Sequence, residues 1–564
     1  MVYLKFQIMN RFVIKKLAYC LIPLLYISCR NEKKENASIL SLDLKRGDIV
    51  SCGPDDGQLF GTVSFTSSVP DKLKSDFNIA IALLHSFEYD ESEKMFAKVI
   101  DQSPDCAMAY WGVAMSNFHP LWDPPSAADL KKGAKAIEIA RSIKEKTKRE
   151  SDYIEAIAMF YGDSDKLDHK TRVLAFEKAM GNIYLNYPDD MEAAVFYALA
   201  LNSAADPTDQ TYARQKKAFS ILNPLFEKQP LHPGLAHYII HNYDYPALAK
   251  IALPAARKYA AIAPASAHAQ HMPSHIFTRL GYWDECIKSN LVSVSSAKCY
   301  AEQAKLKGHW DEELHGLDYL VYAYLQKGAD DSAKQQVDYL LSINEVDPVT
   351  FKTAYAFAAS PSRYLLERKM WKEAADIEIH PRVYPWEKFP WQKAIFHFTR
   401  ILGAVHTNDI RKATNELDTL KSLHAVLQKK KNKANEAAQV LVQIKASEAW
   451  IEFKRGSKEK AALLMSTAAN MEDRMEKHPV TPGEVIPIRE QLGELLLEMN
   501  KPVPALTAFE ANLKTHANRF NSLYGAGMAA RKSGNNVKAK EYFDKLLKIA
   551  GENKSSRTEL LTIK

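Results

Sequence analysis

The pattern of apolar and polar positions predicts an almost entirely helical chain. From about Lys72 onward, apolar residues recur at helical spacing, and Ala, Leu, Lys and Glu dominate the long segments. Residues 30–70 are rich in charged and turn-forming residues and show little periodicity, which predicts a tether ahead of the helices. Between Pro120 and Lys228, helix-breaking segments interrupt the pattern and make helix lengths irregular.

Two segments near the C-terminus align with a shift of 34 residues. The alignment pairs Gly493 with Gly527 and Phe509 with Phe543. Small residues let paired helices approach closely, and aromatic side chains fill the space between successive pairs. This pattern is typical of tetratricopeptide (TPR) repeats and predicts an all-α fold, a right-handed α-solenoid of roughly seven to ten TPR-like helix pairs. We expect N-terminal helical repeats at 71–230, histidine-rich TPR units at 231–345 and C-terminal TPR repeats at 346–564.

The N-terminal segment predicts export. A positively charged stretch precedes a short apolar run, which is shorter than a membrane span and ends at Ser28 and Cys29. A small residue before a cysteine resembles a bacterial lipoprotein signal, although Tyr26 stands where such signals usually have Leu. The resemblance implies a signal peptide at 1–29, a lipid on Cys29, and a location at the outer membrane or facing the periplasm. A cleaved secretory signal and an uncleaved anchor are the alternatives, and both also export the chain.

Composition narrows the class of partner. The chain is 46% hydrophobic and 25% charged with a net charge of +7, which is ordinary for a soluble globular or repeat protein. Its only dense basic run lies around Lys430 and is typical of a solvated helix face. Because no basic and aromatic residues interleave, we expect no nucleic-acid partner.

The cysteines beyond the signal form no motif. Cys52, Cys106, Cys286 and Cys299 are scattered without a CxxC pair. Export permits disulfides, yet a large helical core needs none. We expect Cys286 and Cys299 to remain unpaired with each other.

Histidines are concentrated in one part of the chain. Eight of the 17 histidines fall between His232 and His315. In a TPR unit, one face of the first helix lines a concave groove, and the repeat frame assigns residues to that face. The frame places six histidines there: His237, His241, His268, His271, His275 and His315. It also places Asp244, Arg279, Asp318, Tyr322 and Arg363 on groove faces, and leaves His232 and His309 at unit edges.

This spacing suggests a metal site, with two alternatives. Histidines at i and i+4 are a common way for a helix to offer two ligands, and imidazole suits Zn, Cu, Fe or Ni. Asp244 or Asp318 would then be a further ligand or an acceptor for a ligand's second ring nitrogen. The cluster is also open to two other interpretations, a polar groove for a ligand or peptide and a hydrogen-bonded network between repeats. It is not an HExxH site, because Tyr238 occupies the position of the glutamate, and we assign no catalytic residue.

Several segments resemble a bacterial family of large exported TPR proteins. The resemblance runs from about Phe77 to Ala550, and its most specific part is HMPSHI at residues 271–276. The family implies a TPR fold and no established reaction. We therefore expect an exported lipoprotein that acts as a binding scaffold, with a protein or peptide in the groove and the membrane as partners. A metal-dependent enzyme using the same histidines and a glycan-uptake lipoprotein are the alternative functions.

Overall fold

The computed structural model describes residues 41–54, 59–121, 124–430, 433–475, 477–551 and 557–563. The predicted signal peptide and Cys29 lie outside these residues. Throughout the described chain the regular elements are helices, accompanied by one isolated parallel β-bridge between His309 and Val346. None of these helices is both long and apolar enough to cross a membrane.

The chain divides into two compact units. The first comprises Met1–Ile49, Ser64–Leu84 and Tyr89–Asn186, and the second comprises Val50–Val63, His85–Glu88 and Tyr187–Lys564. A short 3₁₀ turn at Asp71–Leu73 leads into the first six helices. These are α1 (Lys74–His85), α2 (Tyr89–Gln102), α3 (Ala107–Ser116), α4 (Ala127–Ser142), α5 (Lys148–Tyr161) and α6 (His169–Asn186).

In the described part of the second unit, twenty further helices follow. They are α7 (Met191–Ser203), α8 (Ala213–Lys228), α9 (Pro233–Asn242), α10 (Ala249–Ile262), α11 (Ala267–His271), α12 (Pro273–Leu280), α13 (Trp283–Gln303), α14 (Asp311–Gln326), α15 (Asp330–Ser342), α16 (Phe351–Glu367), α17 (Trp371–Ala375), α18 (Pro390–His406), α19 (Ile410–Gln428), α20 (Ala434–Lys454), α21 (Lys458–Glu472), α22 (Ile488–Glu498), α23 (Pro502–Thr515), α24 (Phe520–Lys532), α25 (Asn536–Ala550) and α26 (Thr558–Ile563). A 3₁₀ turn at Trp386–Lys388 precedes α18.

The packing of these helices confirms the predicted fold class, an all-α solenoid of TPR-like helix pairs. A Cβ atom added at Gly493 would lie 2.7 Å from the ring of Phe509, and one at Gly527 would lie 2.2 Å from the ring of Phe543. The two glycines and two rings aligned by the 34-residue shift are therefore in direct contact within their own pairs. In the first unit, a Cβ at Gly112 would likewise lie 2.3 Å from the ring of Phe96.

The segment that the repeat frame treats as one helix, around His271, is two short helices. Pro273 has no backbone N–H to donate, so α11 ends at His271 and α12 begins at Pro273. Gly281 then ends α12 with φ of 67°, a left-handed conformation that glycine adopts without a steric penalty.

The described part of the stretch predicted to be a tether is packed against helices. In the first unit the side chains of Leu42, Phe65 and Val69 are buried. In the second, the N–H of Thr62 donates to the carbonyl of Leu231 at 2.9 Å. The stretch is irregular, as predicted, but its apolar side chains are taken out of water, which a free tether would not achieve.

A disulfide joins Cys52 to Cys299, within the second unit. Sequence reasoning considered only the pair Cys286 and Cys299, which is indeed unpaired, and missed this bond. The two cysteines are 247 residues apart and share no motif, so spacing carried no signal of it. Cys106 and Cys286 are free and buried.

Candidate metal centre

The six histidines assigned to a groove are buried, which corrects the prediction of an open surface. None is more than 9% exposed. Residues 477–486, between α21 and α22, cover the same helix faces: the hydroxyl of Tyr319 donates to the carbonyl of Val480 at 3.2 Å, and that of Tyr355 donates to the carbonyl of Gly483 at 2.9 Å. At these helices the described chain itself occupies the space where a peptide was expected.

Three of the histidines meet around one point. His237 and His241 are one turn apart on α9, and His268 projects from α11. The Nε2 atom of His237 lies 3.0 Å from Nε2 of His241 and 3.1 Å from Nε2 of His268. We call these three residues the first trio.

The other three form a second trio, His271, His275 and His315, contributed by α11, α12 and α14. The Nε2 atoms of His271 and His275 are 3.1 Å apart, and the ring centroids of His271 and His315 are 4.1 Å apart. In each trio one ligand atom from every residue lies within 4.8 Å of the other two. The sequence-predicted set is thus brought together completely, as two groups of three.

Hydrogen bonds fix which nitrogen carries the proton in the second trio. The Asn290 amide donates its Nδ2–H to the carbonyl of Cys286 at 2.8 Å, so its Oδ1 faces His271 Nδ1 at 2.6 Å. His275 Nδ1 lies 3.0 Å from the Asp244 carboxylate. Both Nδ1 atoms must therefore donate, and both Nε2 atoms carry lone pairs. These two lone pairs face each other across 3.1 Å.

The first trio has the same feature. Nδ1 of His237 lies 2.6 Å from the backbone carbonyl of His85, which can only accept a hydrogen bond. His237 therefore also presents a bare Nε2, here toward His241 and His268. Its ring is stacked on Tyr259 with the centroids 5.0 Å apart, so its orientation is fixed on both sides.

Burial makes it unfavourable for a proton to lie between these lone pairs, because one of the rings would then be charged. Desolvation lowers the pKa of His237, His241, His271 and His315 well below the usual value, and the pKa of His275 is also lowered. Burial therefore favours the neutral form of these five rings. Two nitrogens each bound to one ion at about 2.0–2.1 Å lie about 3 Å apart when the angle at the ion is a little above 90°. The observed separations fit a shared metal ion.

The two trios are neighbours. The ring centroids of His241 and His275 are 6.3 Å apart, the same separation as between His241 and His268 inside the first trio. The arrangement is therefore six imidazoles in two adjacent groups.

Two carboxylates flank the trios without entering them. Asp244 accepts from His275 and also from Lys477 and Arg279, each at 2.8 Å. Burial alone would raise the pKa of Asp244, but Lys477 and Arg279 hold it well below its usual range. Burial in turn lowers the pKa of Lys477 to about 8. Glu312 lies 3.5 Å from Nδ1 of His268 and forms an ion pair with Lys352.

A third group, missed by sequence reasoning, has a different character. Glu192 accepts from Nε2 of His85 and from Nε2 of His232, both at 2.9 Å. The Nδ1 atom of His232 accepts from the N–H of Leu235, and that of His85 lies 2.9 Å from the Tyr238 hydroxyl. Although burial opposes it, the interactions with His232 and His85 hold the pKa of Glu192 well below its usual value. Here the Nε2 atoms carry protons, and the hydrogen bonds are complete.

The remaining predicted site residues lie apart from the trios. Asp318, predicted as a metal ligand or an acceptor for one, accepts hydrogen bonds from Arg363 and Ser360 through its Oδ1 atom. Arg363 is therefore buried in an ion pair inside the protein. Its guanidinium carbon lies 5.0 Å from the ring centroid of Tyr322. Arg279 binds Asp244, and His309 binds Glu313 outside the trios.

Fold and site together define an all-α repeat protein with a buried histidine cluster. No model of a known protein family matches the chain, and no curated protein matches it. Among solved structures, the human IFIT1 dimer with m7Gppp-AAAA is 13% identical over 88% of this chain and 98% of its own, with a TM-score of 0.32. The APC/C hetero-tetramer Cut9–Hcn1 is 11% identical over 88% and 97%, with a TM-score of 0.26. Similarity at this level carries no argument about function.

Proposed function

We propose that this chain is an exported, lipid-anchored helical-repeat protein that binds transition-metal ions at its two histidine trios. The repeat scaffold positions four helices, α9, α11, α12 and α14, so that six imidazoles converge. The metal would be held by Nε2 atoms, while the Nδ1 atoms are oriented by the groups around them. Such outer hydrogen bonds to a carbonyl, an amide or a carboxylate are what metal-binding histidines generally have.

The facing lone pairs of His271 and His275 are the observation that supports this proposal best. With both Nδ1 atoms committed as donors, the 3.1 Å contact between the Nε2 atoms is repulsive unless a cation lies near both. A structural hydrogen-bond network would instead place a donor opposite each acceptor. Burial makes the protonated ring unfavourable, which leaves a metal ion as the better cation.

Export is supported separately by the disulfide between Cys52 and Cys299. Disulfides persist in oxidising compartments and are rare in the cytosol. The lipid anchor rests on Cys29, which the sequence places after a signal-like segment. Replacing Cys29 with Ser should release the protein from membranes, and unchanged membrane retention would contradict the anchor.

The metal proposal is tested by measuring the metal content of full-length protein purified with a tag that contains no histidine. We expect stoichiometric transition metal in the native chain, or full uptake on reconstitution. The double variant His237→Phe with His271→Phe removes one fixed ligand from each trio and should lose nearly all of the bound metal. Phenylalanine keeps a ring of similar size, so packing is largely preserved.

The matched control is His397→Phe, which replaces a buried histidine that contacts Glu416 and belongs to neither trio. It should retain the full metal content. A native chain that is folded, carries no metal and gains none on reconstitution would refute the proposal. Equal metal loss in the control would show that general destabilisation, and not ligand removal, explains the result.

A further inference from the structure

Both trios offer metal ions only neutral donors. All six converging groups are imidazoles, and an imidazole coordinates a metal ion as a neutral donor. The carboxylates of Asp244 and Glu312 contact Nδ1 atoms on the far sides of the rings. Each is already balanced by a cation, Asp244 by Lys477 and Arg279 and Glu312 by Lys352. The ligand shell therefore supplies no net negative charge.

This charge balance favours monovalent metal ions over divalent ones. Two divalent ions in adjacent buried sites would bring four positive charges into a region of low dielectric without a bridging carboxylate to offset them. Two monovalent ions would bring half as many. Imidazole suits Zn, Cu, Fe and Ni, and among these copper is the metal with a readily accessible monovalent state. In its divalent state copper is also the ion that nitrogen ligands hold most tightly.

Resting on the metal site proposed above, we infer that the two trios form one dinuclear copper centre that binds dioxygen. One copper(I) ion lies on His237, His241 and His268, and the other on His271, His275 and His315. Proteins with paired metals hold the two ions about 3.5–4 Å apart. Rings from the two trios with centroids 6.3 Å apart are close enough to direct their ions toward each other.

The adjacency of the trios has a chemical consequence. Each copper(I) ion gives one electron to dioxygen, which accepts two and becomes a peroxide bound between two copper(II) ions. The O–O double bond is reduced to a single bond that stays intact, and no proton or external reductant is needed. A single ion cannot supply both electrons, so the reaction needs both trios. The two negative charges of the peroxide then offset half of the four positive charges.

The test is anaerobic reconstitution of the full chain with copper(I), followed by admission of oxygen. We expect two copper ions per chain, and a strong near-ultraviolet absorption when oxygen enters. The oxygenated protein should show no electron paramagnetic resonance signal, because the two copper(II) spins couple through the peroxide. The variant His315→Phe disrupts the second trio alone and should retain one copper. That copper should give an ordinary copper(II) signal on oxidation and no near-ultraviolet band.

The outcomes separate this inference from the proposed function. Stoichiometric zinc or another metal that copper(I) does not displace would overturn the copper inference and leave metal binding standing. A single copper per native chain, or two that oxidise to uncoupled copper(II), would overturn the dinuclear centre. No metal of any kind would overturn both. Because His397→Phe lies outside both trios, it should reproduce every native signal, and a lost band in that variant would also count against the assignment.

Discussion

Two histidine groups in this protein look alike by distance and differ in hydrogen bonding. His271, His275 and His315 form one, and His85, Glu192 and His232 form the other, each fully buried with ligand atoms within 4.8 Å of one another. In the glutamate group each Nε2 donates to a carboxylate oxygen at 2.9 Å. In the three-histidine group two Nε2 lone pairs meet at 3.1 Å. Proximity alone does not define a metal site; the direction of the available lone pairs does.

The largest predicted effect is a loss of stability when Glu192 is replaced. Replacing Glu192 with Ala removes the acceptor of two buried hydrogen bonds and leaves His85 and His232 without it. Leaving a buried donor without its acceptor typically costs about 1–3 kcal/mol, and this substitution affects two donors. We therefore expect a marked fall in the apparent free energy of unfolding, measured by denaturant titration, with the metal content per folded molecule unchanged.

Glu192→Gln serves as the control, since it keeps the size and one acceptor and should be destabilised less. Loss of metal in folded Glu192→Ala protein would break the comparison, because it would make Glu192 part of the metal site. Unchanged stability would show that its two hydrogen bonds contribute little.

A smaller effect is expected at Asn290, which orients His271. Replacing Asn290 with Leu removes the acceptor for His271 Nδ1, so the ring is free to adopt the other tautomer and turn away. Losing such an outer partner typically weakens metal affinity about 10–100-fold. We expect that change in the metal dissociation constant, measured by competition with a chelator.

Asn242 provides a matched control on α9. Like Asn290, it is buried and donates to the carbonyl four residues earlier, that of Tyr238, at 2.7 Å. Its replacement with Leu should cost comparable stability without changing metal affinity. If both variants weaken metal binding equally, the role of Asn290 is packing and not orientation of His271.

The last effect concerns the pH dependence of the stability of the metal-free protein. Unfolded histidines take up protons below about pH 6.5, whereas the buried rings of His237 and His271, with pKa values lowered by desolvation, do not. Stability present above pH 6.5 is therefore lost as the pH falls below it, by up to about 1.4 kcal/mol per pH unit for each such ring. Thermal unfolding between pH 7 and pH 5 measures the slope.

In the metal-bound protein, the free energy of unfolding should depend less on pH until protons displace the ion. Glu192→Gln should not flatten the slope in this window, because the Glu192 carboxyl is held ionised and titrates only at lower pH. A metal-free protein whose stability is constant between pH 7 and pH 5 would contradict the neutral, buried state of the rings.

Much of the fold and the members of both trios could be predicted from the sequence. The 34-residue shift relates His237 to His271 and His241 to His275, and the same shift identified contacts such as that of Gly527 with Phe543. The periodicity of the sequence predicts which side of a helix a residue occupies. This prediction depends only on residues that are close together in the chain.

Burial and hydrogen bonding of the site could not be predicted in this way. Residues 477–486 lie far along the chain from the trios and have no repeat pattern, so nothing local indicates that Tyr319 would meet Val480. The proton positions depend on the carbonyl of His85 and on Asn290, whose contacts arise only from tertiary packing. Asp318 has the spacing of a groove residue, yet Arg363 takes it as an ion-pair partner.

The most direct test of the central claim is anomalous diffraction from crystals of metal-loaded protein, recorded at the absorption edge of the metal. We expect a peak about 2.0–2.1 Å from Nε2 of His271 and His275 and a second at the same distance from Nε2 of His237. We expect no peak between His85, Glu192 and His232, where the nitrogens already donate protons. A peak at the glutamate group, or loaded crystals without a peak between the facing nitrogens, would contradict metal binding by the trios.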